Sequence, residues 1–87
     1  MKNMKKLEYE SLVGVMGPIS WNEKDEVDGY SLYTTEDEDV ILKGQNLRDV
    51  FKVFKNKRVK ILGNFLPSFD NARIFEIRNT QFWGDAA

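Results

Sequence analysis

The sequence contains no cysteine and no histidine, and only two of its 87 residues are proline. Without cysteine there is neither a disulfide framework nor a thiolate nucleophile. Without histidine the chain lacks the most common metal ligand and the side chain that titrates most readily near neutral pH. No apolar run approaches the roughly 20 residues that a membrane-spanning helix needs. We therefore expect no membrane partner and none of the chemistry that rests on these two residue types.

The length and composition suit one small folded domain. Hydrophobic residues make up 41% of the chain and aromatic residues 13%, and a domain this short must use them well because it buries only about 60–65% of its unfolded surface. We expect a single domain over residues 1–87, with a core over about 8–80 and flexible ends. Glu8 and Glu10 follow the basic start where an export signal would be apolar, so we expect a cytoplasmic protein.

The first half of the chain predicts three β-strands. Ser11–Met16 is apolar and β-prone, and Gly17-Pro18 is expected to end this strand because proline removes a backbone donor. Residues 18–28 then form a polar loop that carries Trp21. The alternation of Tyr30–Thr34 predicts a second strand with Tyr30, Leu32 and Thr34 on one face. After an acidic turn at 36–39, residues 40–42 form the third strand.

The segment 47–54 predicts an amphipathic helix. Its apolar residues recur at i, i+3, i+4 and i+7, which places them in one stripe: Leu47, Val50, Phe51 and Phe54. Asn46 is a good N-cap residue, and Asn56 can take the left-handed conformation that ends a helix. We expect the stripe to close one end of the sheet.

The second half adds two strands, Arg58–Phe65 and Ala72–Arg78, so the predicted order is β-β-β-α-β-β. This order resembles an OB-fold, a five-stranded Greek-key barrel with a helix between strands three and four. The resemblance covers about residues 8–80. It rests on the glycine-bearing first strand, the Tyr30–Leu42 hairpin, the helix and the Val59–Gly63 segment. An SH3-like barrel is the alternative, but it does not normally carry a helix before its fourth strand.

The residues do not suggest an enzyme. General acid-base catalysis usually needs histidine or a carboxylate with a pKa raised by burial, and here the carboxylates crowd into turns where water keeps them ionised. No serine has a histidine to activate it, and no glycine-rich loop precedes the helix. The acidic runs 25–28 and 36–39 do not match the spacing of a calcium loop. We therefore expect no catalytic residue, no metal and no cofactor.

The charges are strongly segregated along the chain although the net charge is only −1. Residues 22–39 carry eight acidic residues against one lysine, a net charge of −7. Residues 43–60 carry seven basic residues against one aspartate, a net charge of +6. A small domain polarised in this way presents two different surfaces to its partners.

The OB-fold resemblance implies binding of oligonucleotides or oligosaccharides on the face of strands two and three, between the loops that join strands one and two and strands four and five. Such sites stack bases on aromatic rings and track phosphates with basic residues. Carried over to this sequence, the candidate site residues are Trp21, Tyr33, Ile41, Lys43, Phe69 and Arg73.

Three functions therefore remain open. The first is single-stranded nucleic-acid binding on that face, against which stand the acidic residues in the same loops, because they repel phosphates. The second is a protein-interaction module that uses the acidic loops on one side and the basic helix and fourth strand on the other. The third is a sugar or other small-molecule site on the face of strands two and three, because aromatic rings also stack on sugar rings. The OB-fold resemblance places nucleic-acid binding slightly ahead and the third function last, and the oligomeric state stays open.

Overall fold

The computed structural model describes residues 9–68 and 70–85. Over these residues the chain is mainly β, and the elements follow the predicted order β-β-β-α-β-β. Their bounds are β1 Glu10–Trp21, β2 Val27–Thr34, β3 Asp39–Lys43, α1 Leu47–Phe54, β4 Lys57–Leu66 and β5 Ile74–Asp85. Of the predicted features, residues 1–7 and Phe69 lie outside the described residues.

The five strands form one closed sheet in the spatial order β1-β2-β3-β5-β4. The first strand is central to closure, because it pairs with β2 on one side and with β4 on the other. All neighbouring strands are antiparallel except β3 and β5, which run parallel over Ile41–Lys43 and Ile74–Glu76. Closure of this kind leaves few strand edges free to pair with other chains.

The core lies inside the closed sheet. Every strand contributes buried apolar side chains, which are Met16, Tyr30, Leu32, Val40, Leu42, Val59, Ile61 and Phe75. The predicted alternation of β2 is confirmed, since Tyr30, Leu32 and Thr34 are all buried. Ser31 is buried as well, although it belongs to the other face, where it lies in register between Gly17 of β1 and Ile41 of β3.

Two glycines allow the strands to approach each other closely. A Cβ atom on Gly14 would overlap the carbonyl oxygen of Tyr33 on β2. A Cβ atom on Gly63 would overlap the carbonyl oxygen of Glu76 on β5, at a register shift between β4 and β5. Only glycine fits where two backbones come this near, and these contacts let a short sheet curl tightly enough to close.

The helix has the predicted bounds and packs with the predicted stripe. The four residues of the stripe pack against the core, and the ring of Phe51 lies 5.3 Å from that of Tyr30. Asn56 takes a left-handed conformation (φ 62°), as expected at the end of a helix. Asn46 differs from the prediction, because its side chain makes no capping hydrogen bond. Within the described residues, no helix is long and apolar enough to cross a membrane.

The first strand does not end at Gly17-Pro18 but continues to Trp21. Beyond Val15 it pairs only with β2, and a strand with one free edge tolerates proline. The pairing register of β1 with β2 shifts between Pro18 and Ser20. The predicted loop 18–28 is therefore a short connection at residues 22–26.

The fifth strand runs to Asp85, seven residues beyond the predicted end at Arg78. It pairs with β4 along its whole length, with register shifts opposite Leu62/Gly63 and Arg58/Val59. This extension carries Phe82 and Trp83, which the sequence interpretation left outside the sheet.

Candidate nucleic-acid interface

Tyr33 lies on the outer face of β2, with about half of its surface exposed (51%). Its phenolic hydroxyl donates a hydrogen bond to Asp37 Oδ1 at 2.7 Å. That hydrogen bond and the negative charge of Asp37 raise the pKa of Tyr33 above its ordinary value of 10.0, with smaller contributions from desolvation and from Asp39. The ring is thus free to stack, but its polar end faces an acidic turn.

Arg73 precedes β5 and is engaged within the protein. Its Nη1 atom donates to both carboxylate oxygens of Glu38, at 2.8 and 3.0 Å. Its guanidinium group also lies 4.4 Å from the ring centroid of Phe65. These two contacts fix the connection between β4 and β5 to the turn between β2 and β3. A phosphate would therefore have to compete with Glu38 for this side chain.

Ile41 and Lys43 lie on the outer face of β3, where the OB-fold resemblance placed them. Ile41 is half-buried, in register with Ser31 on β2 and Ile74 on β5. Lys43 is exposed and in register with Glu76 of β5. The outer face of β2 and β3 therefore offers one lysine with a carboxylate beside it.

Trp21 is exposed (55%) at the far end of the same sheet. It pairs with Val27, which precedes Tyr33 by six residues on β2, so the two aromatic residues are about 20 Å apart along the strand. Ile41, Tyr33 and Arg73 come together near the turn between β2 and β3, whereas Trp21 does not join them. Phe69, the remaining predicted residue, lies outside the described residues.

A second surface combines exposed aromatic rings with basic side chains. It follows the register across four neighbouring strands: Arg58 of β4 pairs with Val15 of β1, which pairs with Tyr33 of β2. In the next row Lys60 of β4 lies between Gln81 of β5 and Val13 of β1. We call this the β1–β4 surface; its members are Val13, Val15, Tyr33, Arg58, Lys60, Gln81 and Trp83.

Trp83 lies on β5 at the edge of the β1–β4 surface, beside its basic residues. It is 53% exposed, and the Lys60 ammonium lies 5.1 Å from its ring centroid. A lysine over an aromatic face gains about 0.5–1 kcal/mol at an exposed site. The neighbouring Phe82 is likewise exposed and makes a looser contact with Lys57, at 5.9 Å.

Sequence reasoning missed Trp83 and Lys60 as site residues because it ended the fifth strand too early. The signal was present in Thr80, Phe82 and Trp83, all of which favour strands. The polar residues Asn79 and Gln81 between them make the segment look like a loop. Once β5 extends to Asp85, Trp83 lies beside the basic part of β4.

Comparison with known proteins does not assign the chain: no family model, no curated protein and no solved structure matches it. Over residues 9–68 and 70–85, no group of three or more acidic side chains is arranged to hold a metal ion.

Proposed function

We propose that this protein is a non-enzymatic OB-type domain that binds single-stranded nucleic acid on its β1–β4 surface. The fold assignment is supported by the position of the helix between β3 and β4 and by the parallel pairing of β3 with β5 in a sheet that β1 and β4 close. An SH3-like barrel does not normally carry that helix.

The observation that carries the proposal is the pairing of Lys60 with the exposed ring of Trp83, next to Arg58 on the same strand. Single-stranded nucleic acids bind where aromatic faces stack bases and neighbouring cations contact phosphates. Trp83 and Tyr33 stand at opposite edges of this surface, three inter-strand spacings apart by way of β4 and β1, or about 14 Å measured along the curved sheet. Both basic side chains lie between the two rings.

The face of β2 and β3, which the OB-fold resemblance suggested, supports this function less well. Its nearest arginine, Arg73, is held by Glu38, and its lysine lies beside Glu76. The acidic turn at residues 36–39 borders this face, although through Asp37 it also reaches the Tyr33 edge of the β1–β4 surface. Since phosphate contacts dominate affinity for nucleic acids, we assign the binding surface to β1 and β4 and retain only Tyr33 from the predicted site.

The test is a fluorescence polarisation titration with labelled oligo(dT) of about 16 nucleotides, the upper end of the site sizes known for one OB domain, at low salt. Trp83→Ala is compared with Trp21→Ala. The two tryptophans are equally exposed, but only Trp83 belongs to the β1–β4 surface. Loss of one stacked base costs about 1–3 kcal/mol, so Trp83→Ala should weaken binding by roughly 5- to 150-fold.

Trp21→Ala should leave the affinity unchanged. Lys60→Gln should weaken binding and reduce the slope of log K against log salt by about 0.7, the value for one phosphate contact on a single strand. If Trp21→Ala causes the larger loss, the β1–β4 surface is not the binding surface. If the wild-type protein does not bind at low salt, the proposed function is wrong.

A further inference from the structure

A pocket lies between the helix and the start of β2, away from the β1–β4 surface. It has a volume of about 430 Å³, which is within the range of small binding pockets. We call it the helix pocket; its lining residues are Glu26, Val27, Tyr30, Arg48, Phe51, Lys52 and Lys55.

The rim of the helix pocket is basic. Arg48 and Lys52 lie one turn apart on the helix, and Lys55 follows directly after its last residue, so the three cations form a row about 10 Å long. All three are exposed. The ion pairs in the described part of the chain engage Lys57, Arg73 and Arg78, and none engages these three cations. Glu26 is the single carboxylate among the lining residues.

The floor of the helix pocket is apolar, and its two aromatic rings are buried or partly buried. Tyr30 is only 5% exposed, and Phe51 leans against it with the two ring planes tilted by 42°. Val27 completes the floor. A nucleic-acid base needs an exposed ring to stack on, whereas an aliphatic side chain needs only a recess of this kind. The floor therefore fits an inserted apolar side chain better than a base.

We propose that the helix pocket docks an acidic segment of a partner protein, which inserts an aliphatic side chain onto the floor and pairs its carboxylates with Arg48, Lys52 and Lys55. Interfaces gain most of their energy from a few anchors in pockets, and complementary charges around an anchor give register and fast association. The length of the basic row matches several acidic residues in sequence better than one small anion.

The probe is a fluorescein-labelled peptide with two adjacent leucines between two runs of three glutamates. Its binding is measured by fluorescence polarisation, and the site by changes in backbone amide shifts of the ¹⁵N-labelled protein. We expect saturable binding that shifts the amides of Val27, Phe51 and Lys52. Lys52→Glu should weaken binding about tenfold or more, since it replaces an attraction at the rim by a repulsion.

Lys43→Glu is the matched control, because it makes the same charge change at an exposed lysine on β3. It should change the affinity less than twofold. A second peptide with alanine in place of both leucines should bind about tenfold more weakly, since it loses the buried anchor. Both comparisons avoid any change to the protein core.

Four results would overturn the inference. Equal losses from Lys52→Glu and Lys43→Glu would show general attraction between charges, and equal binding of the alanine peptide would show that no anchor is inserted. Stronger shifts of the same amides by oligo(dT) would identify nucleic acid as the occupant. Absence of peptide binding would also contradict the inference, while leaving the oligonucleotide titration on the β1–β4 surface unaffected.

Discussion

Substitution of Gly14 by alanine tests whether the sheet closes through the close approach of β1 and β2. The new Cβ atom would lie 2.8 Å from the Cα atom of Thr34 and would overlap the carbonyl oxygen of Tyr33. Ordinary contact begins at 3.4 Å, so the strands must separate by at least about 0.6 Å at this point. Both obstacles are backbone atoms, which a change of rotamer cannot move aside.

Overpacking of a tight site costs typically 1–3 kcal/mol, and we expect the upper part of this range, about 2–3 kcal/mol, because the backbone itself must shift. For a domain of this size, 1 kcal/mol changes Tm by about 4–8 °C. Gly14→Ala should therefore lower Tm by roughly 10–20 °C, as measured by circular dichroism or calorimetry. Urea melts provide the corresponding change in the free energy of unfolding.

Gly17→Ala is the matched control. Gly17 lies three residues further along the same strand, and a Cβ atom there would meet nothing within 4 Å. An unobstructed substitution usually changes stability by no more than about 0.5 kcal/mol. Equal effects of the two substitutions, or a neutral Gly14→Ala, would refute the close approach of β1 and β2 and with it the tightly curled sheet.

Two further predictions concern the helix and the acidic turn. Phe51→Ala should destabilise the protein by about 2–3 kcal/mol in urea melts, which is less than the 3–5 kcal/mol of a fully buried phenylalanine, because Phe51 is half-buried. The control, Val53→Ala, changes a residue of the same helix that is 64% exposed, and it should be nearly neutral. Equal losses of stability from the two substitutions would argue against a packed stripe. Asp37→Asn should lower the pKa of Tyr33 towards 10.0, followed by NMR of the tyrosine rings. Because the pKa of Tyr33 is raised in the folded state, its hydrogen bond to Asp37 stabilises the protein below pH 10, and this stabilisation is lost as the pH rises through the folded-state pKa. An unchanged Tyr33 pKa in the Asp37→Asn variant would contradict the assigned cause.

The sequence pattern within a segment predicted the helix and the inward face of β2 correctly. The helix was predictable to the residue because a stripe at helical spacing must pack against something, and the burial of Tyr30, Leu32 and Thr34 followed from simple alternation. The continuation of β1 through Pro18 was not predictable, because it depends on how β4 pairs. β4 does not extend along this part of β1, so one edge of β1 is free there and tolerates proline. The order of elements follows from the sequence, but closure through Gly14 and Gly63 depends on distant strands.

The candidate site was less predictable than the fold. Exposure of Tyr33 followed from its position on β2, but its hydrogen bond to Asp37 depends on the exact turn. Arg73 was expected to be available to a phosphate, and its pairing with Glu38 joins residues 35 positions apart, which no local pattern reveals. Trp83 was missed because its neighbours are polar. Each of these failures involves a contact between separate elements rather than a property of one segment.

The most direct test of nucleic-acid binding on the β1–β4 surface is a map of backbone amide shifts while unlabelled oligo(dT) is added to the ¹⁵N-labelled protein. We predict that the largest changes occur at Val13, Val15, Lys60 and Trp83, with little change at Lys43. Changes concentrated at Ile41, Lys43 and Trp21, with none on β4, would contradict it.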